Sequence, residues 1–175
     1  MKPLWLANLD ANKVAYQTGE TLPNIFTSVF MDNFVFIGGG GATIGLVLAL
    51  GYLAHKKKAS KQLKTLAPIA VIPGLFNINE PAMFGVPIVL NILLLVPFIL
   101  APMFNLLVAW GAMASGLVPL TYTDPGWTMP PVISGLLATG SISGSLLQIV
   151  LIVLDVLLYL PFVIAIEKRF KLLED

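Results

Sequence analysis

The chain has 175 residues, of which 57% are hydrophobic and 11% are charged, and its mean hydropathy is +0.90. Soluble domains are about 45–50% apolar and about 25% charged, so this composition excludes an ordinary soluble domain and predicts an integral membrane protein. No cysteine is present, which excludes a disulfide framework, a thiolate metal site and a cysteine nucleophile. The net charge of +1 gives no information about partners, and we expect no nucleic acid to bind.

The N-terminal 32 residues are mixed in polarity and rich in turn-forming residues. Residues 4–16 have a weak helical periodicity that suits a helix lying along the membrane interface. Residues 1–14 lack the apolar stretch of a signal peptide, so none is expected. Residues 34–54 are the first predicted span and contain four consecutive glycines, 38–41. Two interpretations of the glycines stay open: close helix packing by small residues, or exposed backbone beside a ligand.

Basic residues follow this first predicted span. Five lysines at positions 56–64 predict a cytoplasmic loop, because positive charge is enriched on that side of membranes. We interpret His55 as part of this solvated loop rather than as a ligand. Residues 66–89 are apolar, yet they are interrupted by Pro68, Pro73, Pro81 and Pro87. Because interior prolines break helices, this segment is predicted to form two half-helices that meet at 77–81, which is a re-entrant hairpin.

The second half of the chain contains two further predicted spans, at residues 91–114 and 145–166. Between them, residues 117–126 read as a loop, and residues 127–139 are too short to cross, so they are predicted to form a second re-entrant element. The basic stretch 167–171 would end the last span in the cytoplasm. If both basic stretches face the cytoplasm, two full crossings separate them. The predicted fold class is an all-α membrane protein, with transmembrane helices and two re-entrant helical hairpins.

One acidic residue stands out within the apolar part of the chain. Between Lys64 and Glu167 the only charged residues are Glu80, Asp124 and Asp155. A carboxylate near the centre of a bilayer costs about 2.5–3.5 kcal/mol on insertion scales. Glu80 lies beside two asparagines in a proline-broken segment, and irregular backbone is tolerated at membrane depth only inside protein or beside a wet cavity. The pattern predicts a polar ligand site.

The residue types around Glu80 suit a sugar ligand. Carboxylates and amides bind sugar hydroxyls, and Asn77, Asn79 and Glu80 supply these groups. An aromatic ring stacks on the apolar face of a sugar, and Trp127 or Tyr122 would supply it. Alternatively, the two asparagines would bond the broken backbone of the hairpin tip, and Trp127 would lie in the interfacial belt of tryptophans.

The remaining polar residues of the spans point to structure rather than chemistry. Asp155 lies on roughly the same helix face as Gln148, and an interhelical hydrogen bond is its favoured interpretation. The glycine run GGGGATIG lies in a predicted span and lacks the context of a phosphate-binding loop. No zinc-protease motif occurs, and no metal site or cofactor is expected.

Residues 75–91 read LFNINEPAMFGVPIVLN. This run closely resembles the signature of the membrane (IIC) component of the bacterial sugar phosphotransferase system, in its lactose/cellobiose/diacetylchitobiose family. Four more stretches resemble that family in the same order, so that the resemblance covers nearly the whole chain: Pro3-Leu4-Trp5 with Asn8 and Asn12, residues 38–46, residues 127–131 and residues 138–141.

The resemblance implies a multi-pass permease subunit in the bacterial cell membrane that binds and translocates a β-linked disaccharide of the cellobiose, diacetylchitobiose or lactose type. A separate IIB phosphocarrier protein would phosphorylate the sugar, with Glu80 at the acceptor hydroxyl, and no residue of this chain would be phosphorylated. The expected partners are the disaccharide, the IIB protein and the lipid bilayer.

The resemblance also implies that residues 1–175 form a C-terminal, substrate-binding part. Family members are longer, with an N-terminal half that forms the dimer interface and a functional histidine in a His-Gly context. We expect that half to be missing here, a homodimer only in its presence, and no substitution by His55. Two alternatives remain: an ion-coupled secondary carrier that uses Glu80 as a protonatable group, and a non-functional remnant of a truncated gene.

Overall fold

A computed structural model describes residues 2–56, 59–86, 88 and 91–174. Within these ranges the chain is helical, with no strand. The eight α-helices are α1 (Lys2–Thr18), α2 (Ser28–Phe30), α3 (Ile44–Ala54), α4 (Lys61–Gly74), α5 (Glu80–Gly85), α6 (Ile92–Ala114), α7 (Ile133–Thr139) and α8 (Ile142–Glu174). The all-α fold class is therefore confirmed.

The short helix α2 begins at a side-chain cap and continues into a different kind of helix. The Thr27 hydroxyl accepts a hydrogen bond from the backbone N–H of Phe30 at 3.0 Å, which satisfies one donor of the first turn. The chain then forms a π-helical turn, Met31–Val35. Phe30 and Phe34 are fully buried there, in a cluster shared with α1 and α6. This packing leaves Asp32, on the same turn, exposed.

The predicted first span over residues 34–54 was wrong as one continuous helix. Residues 36–43, which we call the glycine loop, form turns, and α3 begins only at Ile44. Gly38, Gly39 and Gly41 have φ angles of 83°, 98° and 81°, in the left-handed region that favours glycine. The 11 residues of α3 cover only about 16 Å, against about 30 Å of bilayer hydrocarbon.

The short helix α3 packs against α4 and α8 in the largest buried apolar cluster. A side chain at Gly45 would lie 2.6 Å from Cβ of Asp155, so α3 and α8 are in close contact at that point. The fully buried Tyr159 of α8 donates a hydrogen bond to the Gly41 carbonyl at 2.6 Å. Helix α8 thereby holds both α3 and the loop that leads into it.

The predicted break in residues 66–89 is confirmed. Helix α4 ends at Gly74, residues 75–79 are the non-helical hairpin tip, and α5 begins at Glu80. Helix α5 folds back along α4 and packs closely against it, so a side chain at Gly85 would clash with Leu66. Pro68 and Pro73 lie within α4, so the chain breaks at the tip rather than at each proline. Pro87 and Val89 lie outside the described residues, and re-entry of this hairpin into the membrane stays a prediction.

Two helices are long and apolar enough to cross a membrane, as predicted for residues 91–114 and 145–166. Helix α6 has 23 residues and α8 has 33, which correspond to about 35 Å and about 50 Å. Residues 117–126 form the predicted loop. In the segment 127–139 only the second half is helical, as the seven-residue α7. Gly140, at a φ of 64°, turns the chain from α7 into α8, and the membrane path of this second hairpin stays a prediction.

Candidate functional site

Asn77, in the hairpin tip, joins three segments of the chain. Its φ of 62° is left-handed, a conformation that asparagine tolerates better than most residues. Its Oδ1 accepts from the backbone N–H of Gly38 at 2.9 Å. Its Nδ2 donates to the carbonyls of Trp127 at 2.7 Å and Met129 at 3.1 Å. One amide thus ties together the tip, the glycine loop and residues 127–129.

Asn79 also joins the hairpin tip to the glycine loop, and its side chain is buried. Its Nδ2 donates to the Gly40 carbonyl and to the Thr43 hydroxyl, both at 3.1 Å. The Thr43 hydroxyl donates in turn to the Gly38 carbonyl at 2.7 Å. A side chain at Gly39 would lie 2.7 Å from Nδ2 of Asn79, so only glycine allows this approach. The two asparagine side chains were expected to bond the broken backbone of the hairpin tip, but they instead bond the glycine loop and residues 127–129.

Above this junction lies an open cavity of about 490 Å³. The volume falls in the range of about 300–1,000 Å³ that is typical of small-molecule sites. Its walls combine aromatic rings, exposed glycine backbone and a few polar side chains, namely Lys2, Trp5, Asp32, Phe36, Gly39, Gly40, Asn77 and Trp127. Of the two interpretations of the glycines, exposed backbone beside a cavity applies at Gly39 and Gly40. Gly38 and Gly41 are closely packed against Ile44 and Phe98, but they lie in a loop and not in a packed helix.

The charged residues of the cavity are Asp32 and Lys2. Desolvation raises the pKa of the Asp32 carboxyl above its ordinary value, and the negative charge of Asp124 adds to that rise. The positive charge of Lys2 opposes it. The cavity therefore offers hydrogen-bond acceptors and donors beside two tryptophan rings. Within the part of the chain that the structure describes, no group of three or more histidine or carboxylate side chains could hold a metal ion.

The structure brings some of the predicted site residues together and separates others. Asn77 and Trp127 line the cavity, and Trp127 is 65% exposed. Asn79 is buried behind the wall. Glu80, the first residue of α5, is exposed and lies outside the set of described residues that line the cavity. Tyr122 instead stacks on Tyr16, with ring centroids 3.8 Å apart, and is not one of the lining residues.

Sequence reasoning missed four residues that line the cavity: Lys2, Trp5, Asp32 and Phe36. Two signals were present. Asp32 is an acidic residue two positions before an apolar stretch, and Trp5 lies in one of the stretches that resemble the phosphotransferase family. Their position beside Asn77 depends on how α1 and the π turn pack, which no local pattern encodes.

Asp155 has the structural role that we favoured. Asn105 of α6 donates through Nδ2 to Oδ2 of Asp155 at 3.0 Å, and this hydrogen bond joins the two long helices. Gln148 has separate partners, donating to the Asn33 carbonyl at 2.8 Å and accepting from the Gly135 N–H at 2.8 Å. The interhelical hydrogen bond predicted for Asp155 is confirmed.

Comparison with known proteins identifies the family. The sequence model described as "Phosphotransferase system, EIIC" matches residues 1–102, more than half of the chain. This chain belongs to the EIIC family of the phosphotransferase system. The resemblance seen in residues 75–91 is therefore confirmed, and this EIIC chain belongs to a family of membrane permeases.

Individual EIIC relatives are similar over almost all of this chain. It is 46% identical to the lichenan permease IIC component of Bacillus subtilis, which it matches over 100% of its own length and 38% of that protein. It is 47% identical to the cellobiose-specific EIIC component of Geobacillus stearothermophilus, over 97% of this chain and 38% of that one.

A solved EIIC structure is also similar. The crystal structure of the transporter ChbC, the IIC component from the N,N'-diacetylchitobiose-specific phosphotransferase system, superposes with a TM-score of 0.93 at 41% identity. The match covers 99% of this chain and 40% of that one. The chain thus spans less than half the length of the relatives that it matches.

Proposed function

We propose that this chain is the sugar-binding part of a membrane permease of the phosphoenolpyruvate-dependent phosphotransferase system. It binds and translocates a β-linked disaccharide, which a IIB partner phosphorylates. The observation that carries the proposal is the single junction at Asn77, where the tip bearing the family motif forms one wall of an aromatic and polar cavity.

The lining of the cavity supports a sugar rather than an apolar ligand. A disaccharide presents hydroxyl groups at its edges and C–H groups on its ring faces. Trp5 and Trp127 offer aromatic rings to those faces, while Asp32 accepts hydrogen bonds from hydroxyls and Lys2 donates to them. The names of two relatives, cellobiose-specific and diacetylchitobiose-specific, indicate the class of sugar.

We assign Glu80 to the acceptor hydroxyl on the strength of the family motif. Because Glu80 lies outside the lining of the cavity, that hydroxyl would project beyond the cavity towards α5. Glu80 follows Asn79 directly and opens α5, so the bonds that hold the tip also limit its movement. Its carboxylate would accept a hydrogen bond from the hydroxyl that receives the phosphoryl group. The phosphoryl group would come from the IIB protein, because no residue of this chain is proposed to carry one.

The proposal includes the setting in which the chain works. It would be a multi-pass protein of the bacterial cell membrane, with the IIB phosphocarrier, a disaccharide and lipid as partners. A homodimer would form through the N-terminal half that longer family members possess. Residues 66–89 and 127–139 would return to their own side of the membrane as re-entrant hairpins.

A binding experiment with matched tryptophan variants tests the proposal. The chain is reconstituted in nanodiscs, and cellobiose and diacetylchitobiose are titrated by calorimetry. Trp127→Ala should lower the affinity at least tenfold. Trp110→Ala is the control, because Trp110 is similarly exposed but lies on α6, apart from the cavity. Equal affinities for the two variants would overturn the assignment of the cavity.

A transport experiment separates this function from the ion-coupled alternative. The segment replaces its counterpart in a full-length EIIC relative, and uptake of cellobiose is measured in vesicles. Uptake should require phosphoenolpyruvate and the IIB protein, and should persist when a protonophore removes the proton gradient. Uptake that follows the proton gradient without IIB would support the carrier instead.

A further inference from the structure

We propose that the groove between α3 and α4 is a binding site for an acidic phospholipid of the bilayer. Two cavities, of about 610 Å³ and about 290 Å³, lie in this groove, and Gly51, His55 and Val71 line both. The two cavities therefore flank one point of contact between the helices. At Gly51 an added Cβ would lie 3.1 Å from Cγ2 of Val71, so the glycine permits the close approach of α3 and α4 between the two cavities.

The walls of the groove are apolar and face outwards. Leu48 and Tyr52 line one cavity, and Ala67 and Ile72 line the other. Tyr52 is 59% exposed and Ile72 is 65% exposed. Apolar surface of this kind in a membrane protein suits acyl chains.

Positive charge lies at one end of the same groove. Lys56 lines the first cavity, Lys64 lines the second, and His55 lines both. The Lys56 ammonium lies 4.9 Å from the centroid of the Tyr52 ring, which places the charge over an apolar wall. His55 donates through Nδ1 to the Gly51 carbonyl at 2.8 Å, which holds the imidazole between the two cavities. The phosphate of a bound phospholipid would contact these groups, and the acyl chains of the lipid would lie along the groove.

The wider charge pattern strengthens this match. Eight of the ten lysines and arginines lie in residues 56–64 and 168–171. The hydrogen bonds from Ser60 to Glu167 bring these two stretches together. Glu167 is the buried carboxylate at that end, and Lys171 lies 3.4 Å from it, so its charge is already balanced. Basic pockets between helices at the cytoplasmic side of a membrane are typical sites for acidic head groups.

The combination of charge and apolar wall selects a lipid over the other sources of phosphate. Inorganic phosphate and sugar phosphates have no acyl chains that could pack against the apolar walls. A zwitterionic lipid carries no net charge and gains little from the lysines. An acidic phospholipid uses both features.

Native mass spectrometry of the chain, released from nanodiscs, provides the test. The nanodiscs contain equal amounts of phosphatidylglycerol and phosphatidylcholine with matched acyl chains. We expect phosphatidylglycerol to be retained at least tenfold over phosphatidylcholine. Each lysine near such a surface is worth about fivefold in affinity, so Lys56→Gln with Lys64→Gln should lower the preference about tenfold or more. The control pair, Lys2→Gln with Lys13→Gln on α1, should leave it unchanged.

A second variant tests the acyl part of the site. Ile72→Trp fills the groove from its exposed side, away from the contact of Gly51 with Val71. It should reduce retention of phosphatidylglycerol by at least threefold without changing the melting temperature. Soluble glycerol 1-phosphate at millimolar concentration should fail to displace the lipid.

Several outcomes would overturn the lipid site. Equal retention of the two lipids would do so, and so would equal losses in the test and control lysine pairs, because that result indicates diffuse attraction to the surface. If the Lys56 and Lys64 variants weaken transfer from the IIB protein while the lipid preference stays intact, the basic end binds that protein instead and the proposal fails. The lipid-retention measurements do not depend on sugar binding.

Discussion

The carboxylate of Glu167 accepts two hydrogen bonds from Ser60, from the backbone N–H at 2.7 Å and from the hydroxyl at 2.6 Å. Both residues are buried, and they lie 107 positions apart in the chain. The Ser60 hydroxyl also accepts from the Leu63 N–H at 3.2 Å and thereby caps α4. The end of α8 is thus fastened to the first turn of the helix that carries the hairpin tip.

We predict that Ser60→Ala lowers the free energy of unfolding by about 2–3 kcal/mol. The substitution removes a helix cap and leaves a buried carboxylate with one hydrogen bond fewer. Thermal and denaturant unfolding in detergent measure the change. Ser115→Ala is the control, since Ser115 is exposed and its hydroxyl donates to the Ala112 carbonyl within its own helix end. A loss below about 0.5 kcal/mol would show that the Glu167 contact contributes little.

Asn77→Asp should separate the two functions of the Asn77 amide. Aspartate tolerates the left-handed backbone and keeps an acceptor for the Gly38 N–H, but it cannot donate to the Trp127 and Met129 carbonyls. Trp127 should lose its fixed position, and affinity for cellobiose should fall about tenfold or more. Asn8→Asp is the control, because Asn8 also donates to a backbone carbonyl, that of Phe26, but does not line the cavity. Unchanged affinity in Asn77→Asp would remove the junction from the site.

The ionisation of Asp32 should give the site a pH dependence. Its pKa is raised above the ordinary value of 3.8, so the folded state favours the protonated carboxyl. The group therefore contributes stability below pH 3.8 that is lost as pH rises through the higher folded pKa. The affinity for sugar should instead rise as pH rises, because the charged carboxylate is the better hydrogen-bond acceptor.

Calorimetric titration of cellobiose at a series of pH values from 3.8 upwards checks the Asp32 prediction. The rise in affinity with pH should disappear in Asp32→Asn, while Asp10→Asn, on the exposed side of α1, should retain it. A profile that is the same in Asp32→Asn and the wild-type chain would exclude Asp32 as the titrating group.

Glu80→Gln should leave the chain inserted and folded but strongly weaken sugar binding and phosphorylation. The exposed carboxylate makes no hydrogen bond among those found for the described residues, so its loss should not destabilise the fold. Removing the charge should also relieve a cost of insertion. Uptake and phosphorylation are measured in a full-length EIIC background that carries this segment. Wild-type levels of both would refute the assignment of Glu80.

The two basic stretches should both be accessible from the cytoplasm. Ser60 would be an unsuitable position for a cysteine label, because it is buried against Glu167, and Asp175 lies outside the described residues. Lys61→Cys and Arg169→Cys are exposed alternatives. Both should react only with a reagent supplied from the inside. Labelling of either one from the outside would contradict two crossings with two re-entrant hairpins.

Features that depend on nearby residues were predictable. The break before Glu80 follows from prolines and asparagines within a few positions, and the lengths of α6 and α8 follow from uninterrupted apolar runs. The start of α3 was missed, although its cause is also local. The span was predicted from the high apolar content of residues 34–54 as a whole. Three of the four consecutive glycines adopt left-handed backbone, so the helix begins only after them, at Ile44.

The candidate site was predictable only in part. Asn77, Asn79 and Trp127 were identified from residue type and from the family motif, and the structure brings them to one junction. Asp32 and Trp5 were not identified, because their neighbours in the cavity come from other parts of the chain. The aromatic role considered for Tyr122 depended equally on packing, and its ring stacks on Tyr16 instead.

The sequence by itself determined the membrane class, the all-helical fold, the position of the hairpin tip and the family. These properties follow from apolar content, proline and glycine positions and one contiguous motif, all of which act over short distances along the chain. Only the tertiary structure decided which residues meet. Asn77 reaches Gly38 across 39 positions, Asn105 reaches Asp155 across 50 and Ser60 reaches Glu167 across 107. Such pairs depend on how helices pack, because buried polar groups take whichever partner the packing brings within hydrogen-bonding distance.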